Sequence, residues 1–244
     1  MGLLALALAP GIAICLFIYR KDKYNREPIG MLILAFFLGV LSIFPALAVQ
    51  LSWPVGPGQI SSRDYLSLAF FTFVIVAISE EGSKFLMLRL FLFNRKSFDD
   101  PFDGIVYAVM VGMGFATIEN VGYVYEHGYA TGVLRMFLSV PAHGTFAVLM
   151  GYFTGYAKFT AGNKLPYFAL ALLLPILFHG AFDFFIFSGS EAMIIGGALG
   201  SFILSLIISF KAIKRKQGLS RVYFEDRNRI TDVDANQPPL KKTV

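Results

Sequence analysis

Seven apolar runs separated by short polar segments make up almost the whole chain, at about 3–19, 29–51, 65–93, 104–125, 131–157, 165–187 and 192–213. A helix of roughly 20 apolar residues crosses the hydrocarbon core of a bilayer. None of the runs shows the ten-residue alternation of a membrane β-strand. The pattern therefore predicts an all-α integral membrane protein, a polytopic helical bundle of about seven transmembrane helices. Composition agrees: 56% of the 244 residues are hydrophobic and only 15% charged, where a soluble domain carries about a quarter charged residues.

The formal net charge is +5, but its distribution says more. Arg20, Lys21, Lys23 and Arg26 follow the first run, Arg95 and Lys96 the third, and Lys158 and Lys164 flank the loop between the fifth and sixth. The remaining loops hold only Arg63 and Arg135. Basic loops of this kind mark the cytoplasmic side of a membrane rather than a nucleic-acid surface. They place the amino terminus outside and the carboxyl terminus in the cytoplasm. Residues 1–19 have no basic segment ahead of the apolar run, which reads as a retained first span and not a cleaved signal. A lone cysteine, Cys15, makes no internal disulfide. Two regions follow: a multi-span domain over 1–213 and a basic, flexible cytoplasmic tail over 214–244. Residues 52–62 read as a turn-rich outer segment with an interfacial Trp53, and His127 as a solvated residue of a short outer loop. Small residues at helical spacing (Gly104, Ala108 and Gly112; Gly151 and Gly155; Gly196 and Gly200) predict faces of close helix packing.

The chemistry lies in polar groups inside the spans. The third run contains Ser79-Glu80-Glu81-Gly82-Ser83-Lys84 near its middle. Each charge at that depth costs at least about 2.5 kcal/mol, and Lys84 is spaced to meet both carboxylates on one helical surface. Glu119 and Asn120 lie in the fourth run, His143 in the fifth, and His179 and Asp183 one turn apart in the sixth. Brought into one bundle, four carboxylates would face Lys84 and two neutral imidazoles, a formal deficit of three positive charges. Either some carboxyls are protonated or a divalent cation sits among them. Two histidines, a carboxylate and a water form the ligand set of hydrolytic zinc sites, with a further glutamate free as general base.

Four motifs in order resemble the PrsW family of bacterial intramembrane proteases: Glu80-Glu81-x-x-Lys84; Phe-Asp-Asp-Pro-Phe-Asp-Gly-Ile-Val-Tyr at 98–107 leading to Gly-Phe-Ala-Thr-Ile-Glu-Asn at 114–120; His143; and His179-Gly-Ala-Phe-Asp183. Lys-Asp-Lys-Tyr-Asn-Arg-Glu-Pro at 21–28 fits too. That family is distantly similar to CAAX-processing and bacteriocin-immunity endopeptidases, which have a histidine where Glu119 stands. The resemblance implies a peptidase of the cell membrane that makes the first cut in a single-pass, membrane-anchored anti-sigma factor during a stress response. Beside it, the residues suggest Zn2+ held by His143, His179 and Glu119, water activated by Glu81 or Glu80, Lys84 holding that pair, and Asp183 orienting the site. Two other readings use the same groups: a glutamate peptidase without metal, and a proton- or cation-coupled transporter. The charge count weighs against the first, and the lack of an inverted repeat against the second.

Overall fold

The computed structural model describes residues 2–61 and 64–235. Among these residues every regular element is helical, and six stretches are long and apolar enough to cross a membrane. In chain order, Gly2–Lys21 is α1, Ile29–Ser52 is α2 and Tyr65–Leu92 is α3. The next stretch, Asp103–Phe159, spans 57 residues and contains two helices, α4 (Asp103–Phe137) and α5 (Ser139–Phe159). Leu165–Phe187 is α6, and α7 starts at Glu191. With that long stretch divided in two, the described residues form seven helical segments where the sequence led us to expect about seven spans.

A single residue inside α4 reverses the chain and sends its last turns back towards α5. Gly128 has φ 79° and ψ −162°, a left-handed backbone state that side chains other than glycine rarely adopt. The chain reverses there, so the short outer loop expected around His127 is a hinge within helical structure. His127 itself is half exposed and stacks on Tyr123. Beyond the hinge the two helices run antiparallel in close contact. A Cβ on Gly104 would lie 2.4 Å from the Gly151 carbonyl oxygen, and one on Gly112 2.6 Å from the Ala147 Cβ. The third small-residue face differs from expectation: Gly196 and Gly200 meet nothing within 4 Å, and it is Gly197 that packs against the Phe185 ring.

From Asp103 to Thr117 every residue of α4 is buried, so this helix is the axis of the bundle, with α1, α2 and α5 packed around it. The outward faces carry Phe37, Phe44, Leu66 and Leu165, all well exposed, as lipid contact allows. α3 is less regular. Two π-helical stretches, Phe70–Ala77 and Leu88–Leu92, flank an α-helical Ile78–Met87, and wide turns of that type cluster at functional sites. The first of them crosses α6 at Gly180, where a Cβ would come within 2.4 Å of the Phe73 ring. That crossing brings His179 against the acidic turn of α3. At the other end, the helix of α7 runs on from Leu199 to Ala235, so the described part of the expected tail is helical. Arg63, Ser62 and residues 236–244 lie outside the described residues.

Candidate active site

The α-helical turn of α3 supplies three groups at once. Lys84 follows Glu80 by four and Glu81 by three, so its ammonium reaches both carboxylates, at 3.4 and 2.8 Å. All three side chains are nearly fully buried. The same Nζ lies 3.2 Å from His143 Nδ1 on α5 and over the Phe115 ring of α4. From α6, His179 Nδ1 stands 2.8 Å from Glu81 Oε1. The two imidazoles meet edge to face at 4.9 Å, and Phe146 stacks on His179. Ligand atoms of Glu80, Glu81, His143 and His179 all lie within 4.8 Å of one another.

Each histidine also has an outer carboxylate. His143 Nε2 is 3.1 Å from Glu119 Oε2, and His179 Nε2 is 3.3 Å from Asp183 Oδ2. Both rings therefore turn Nδ1 towards the Glu81–Lys84 pair and Nε2 towards an acid that fixes the ring. All seven residues singled out in the sequence converge. Glu119, however, lies outside the group of four ligand atoms and stands behind His143.

Two contributors, Arg135 and Gln50, escaped the sequence reading, and Asn120, noted there among the polar groups of the spans, gains a partner. Arg135 was counted as a loop charge, but it lies seven residues after Gly128 where Asn120 lies eight before it. The hinge sets them face to face. Its guanidinium donates to Glu119 at 2.6 Å and to Asn120 Oδ1 at 3.0 Å, and covers the Tyr123 ring. Asn120 is anchored in turn by α1. Pro10 lacks the N–H that would bond the Leu6 carbonyl, and Asn120 Nδ2 donates there, to Ala7 O at 3.1 Å and more weakly to Leu6 O at 3.5 Å. Gln50, at the end of α2, donates to Glu80 Oε1 at 3.2 Å. The near-equal spacing of 120 and 135 about a glycine was the available signal for the arginine. Nothing local marked the glutamine.

Arg135 changes the charge count. Four carboxylates now face Lys84 and Arg135, a formal deficit of two rather than three. A divalent cation would cancel it. Two imidazole nitrogens and two carboxylate oxygens, all buried and mutually within ligand reach, also match the donor types that hold such an ion in hydrolytic sites. A cleft of 490 Å³ reaches the site from one side, lined by Gln50, Glu80, Tyr123, Arg135, Phe182 and Asp183 among others. Glu81, Lys84 and the histidines stand behind that wall.

Residues 27–212 match the family described as PrsW family intramembrane metalloprotease. The chain belongs to the PrsW family. The Protease PrsW of Geobacillus kaustophilus (strain HTA426) is 33% identical over 221 residues, 90% of this chain and 94% of that one. The Protease PrsW of Clostridioides difficile (strain 630) is 38% identical over 192 residues, 75% and 79% of the two chains. That of Bacillus subtilis (strain 168) is 35% identical over 184 residues, 75% and 82%. No solved structure matches the chain. Membership of the PrsW family makes this multi-pass membrane protein a protease acting on a membrane-embedded substrate.

Proposed function

We propose that the chain hydrolyses a single-pass membrane protein at the Glu80–Glu81–His143–His179 cluster, with the ion held by Glu81, His143 and His179. The observation that carries this is the approach of four ligand atoms to within 4.8 Å inside a buried, acidic site. When bound, the ion, zinc by its donor set, supplies Lewis-acid chemistry, favouring deprotonated water and polarising a peptide carbonyl. Glu80 takes the proton from water. It shares the wall of the cleft with Asp183, whereas Glu81 is turned inward to Lys84 and His179. Lys84 keeps the adjacent glutamates from repelling each other apart. Glu119, clamped by Arg135, and Asp183 hold the imidazole rings in orientation.

The substrate would be a membrane-anchored anti-sigma factor, cut first at this site in a stress response. The basic segments after α1 and α3, between α5 and α6 and along α7 face the cytoplasm of a bacterial cell. The amino terminus is then outside, and the active site lies in the outer half of the bilayer. Cleavage falls at the extracytoplasmic end of the substrate's span.

Co-expression with a single-pass substrate, combined with metal analysis of purified chain, tests this. Glu80→Gln should abolish cleavage and keep stoichiometric metal. Glu81→Gln, His143→Ala and His179→Ala should lose both, while Glu119→Gln and Asp183→Asn weaken metal retention about 10- to 100-fold. Full activity in a Glu80→Gln chain would sink the assignment of the base. Active wild-type protein without stoichiometric metal would favour the metal-free glutamate mechanism.

A further inference from the structure

The motif at 98–107 takes no part in the active site. Asp103 opens α4 sixteen residues before Glu119, roughly 24 Å away along the helix. Around it five carboxylates gather from two loops. Asp103 Oδ2 accepts the backbone N–H groups of Asp99 and Asp100, at 2.8 and 2.6 Å. Asp100 accepts from Phe102 N–H and from the Ser220 hydroxyl of α7. From the segment after α1, Asp22 Oδ2 accepts the Glu27 N–H at 3.1 Å, and Glu27 accepts the Tyr107 hydroxyl. Asp99 is bonded by Asn25 and pairs with Arg227 at the rim. Ligand oxygens of Glu27, Asp99 and Asp103 lie within 4.8 Å of one another.

An acidic cluster alone would mean little, but two of its oxygens are stranded. Asp103 and Asp22 are 0% and 1% exposed, and the Oδ1 of each has no hydrogen-bond partner among the described residues. Asp103 lies within bonding reach of Glu27. With its Oδ2 taken by two backbone N–H groups, the stranded Oδ1 is the oxygen left for that neighbour. The charges of Lys158 and Lys216 reach Asp103 and Asp100 only from a distance, for Lys158 donates to the Phe93 carbonyl at 2.6 Å and Lys216 lies over the Tyr156 ring. Buried carboxylates that lack cationic partners are costly to leave charged.

We propose that Glu27, Asp99 and Asp103 form a second cation site, separate from the histidine cluster, for a hard divalent ion of the Mg2+, Ca2+ or Mn2+ class. Every donor is an oxygen, and neither histidine nor cysteine is present, which selects such ions over zinc. The ion would fasten the segments after α1 and α3 to the start of α4, and through Asp99 and Asp100 to α7. The rival is a proton shared between Glu27 and Asp103, needing no metal.

The test uses the full chain in nanodiscs, carrying His143→Ala and His179→Ala so that the active-site nitrogens cannot contribute. Mn2+ binding is followed by electron paramagnetic resonance and thermal stability with Mg2+ or Ca2+. The expected result is one saturable equivalent of Mn2+ and a Tm rise of several degrees at a hundredfold excess over Kd. Asp99→Asn, at the half-exposed rim and able to keep its bond to Asn25, should fold and weaken binding about tenfold or more. Glu27→Gln and Asp103→Asn should abolish it. Absence of saturable Mn2+ binding overturns the proposal, as does unchanged affinity in Asp99→Asn. So does a Tm that responds to pH in this region but to none of the three cations, which is the signature of the shared proton.

Discussion

The Arg135–Glu119 pair offers a sharp test of how the proposed active site is held. The guanidinium meets Glu119 at 2.6 Å and Asn120 at 3.0 Å, and the two side chains are only 12% and 15% exposed. Arg135→Gln leaves Glu119 facing His143 without its counter-charge. Breaking a buried pair by removing one partner costs about 3–5 kcal/mol. A loss of that size lowers the Tm of a chain this long by roughly 6–20 °C. Glu119→Gln should cost similarly, because it strands the arginine. The double variant removes both charges, so its loss should be smaller than the sum by about 2 kcal/mol. Polar pairs inside membranes have given couplings averaging only about 0.6 and reaching about 1.7 kcal/mol. A charged pair whose arginine is also anchored on Asn120 is therefore placed at or just above that upper end. The assay is a double-mutant cycle of thermal or denaturant unfolding in one detergent, with each variant checked for monodispersity. Additive losses, with coupling under about 0.5 kcal/mol, would mean that Arg135 is a rim charge after all and that the hinge at Gly128 does not build the site.

Three further outcomes follow from the geometry. Gly151→Ala would put a Cβ within 2.2 Å of the Gly104 carbonyl oxygen, so it should destabilise the chain by about 1–3 kcal/mol or more, whereas Gly200→Ala, in open space, should be silent; unfolding of the two side by side decides. A strong chelator should inactivate purified protease slowly, over a time much longer than mixing, because the four ligand groups are buried, and added Zn2+ should restore cleavage; instant or absent inhibition would count against a buried metal. Asp183→Cys in a Cys15→Ala background should react with a small impermeant thiol reagent applied outside intact cells, since Asp183 lines the cleft, and labelling only from the cytoplasmic side would reverse the proposed topology.

Much of this protein is written locally along the chain. Apolar run length fixes the helical crossings, because backbone groups in hydrocarbon can be satisfied only within a helix or a closed barrel. The cost of burying charge made Glu80, Glu81, Lys84, Glu119, His143, His179 and Asp183 conspicuous, and the structure brings all seven together. Which atoms face which neighbours was not local information. Glu119 became a partner of His143 and Arg135 because Gly128 folds α4 back on itself, a reversal that hydropathy reads as a loop. Gln50 joins Glu80 only because α2 packs beside α3. Gly197, not Gly196 or Gly200, became the packing glycine because helix rotation is set by the side chain opposite, here Phe185. The acidic ring of Glu27, Asp99 and Asp103 likewise exists only where two loops 70 residues apart close over the start of α4. Sequence periodicity determines what must be buried in lipid or protein; rotation, hinge position and the pairing of charges depend on contacts between segments distant in the chain, and these only the folded bundle supplies.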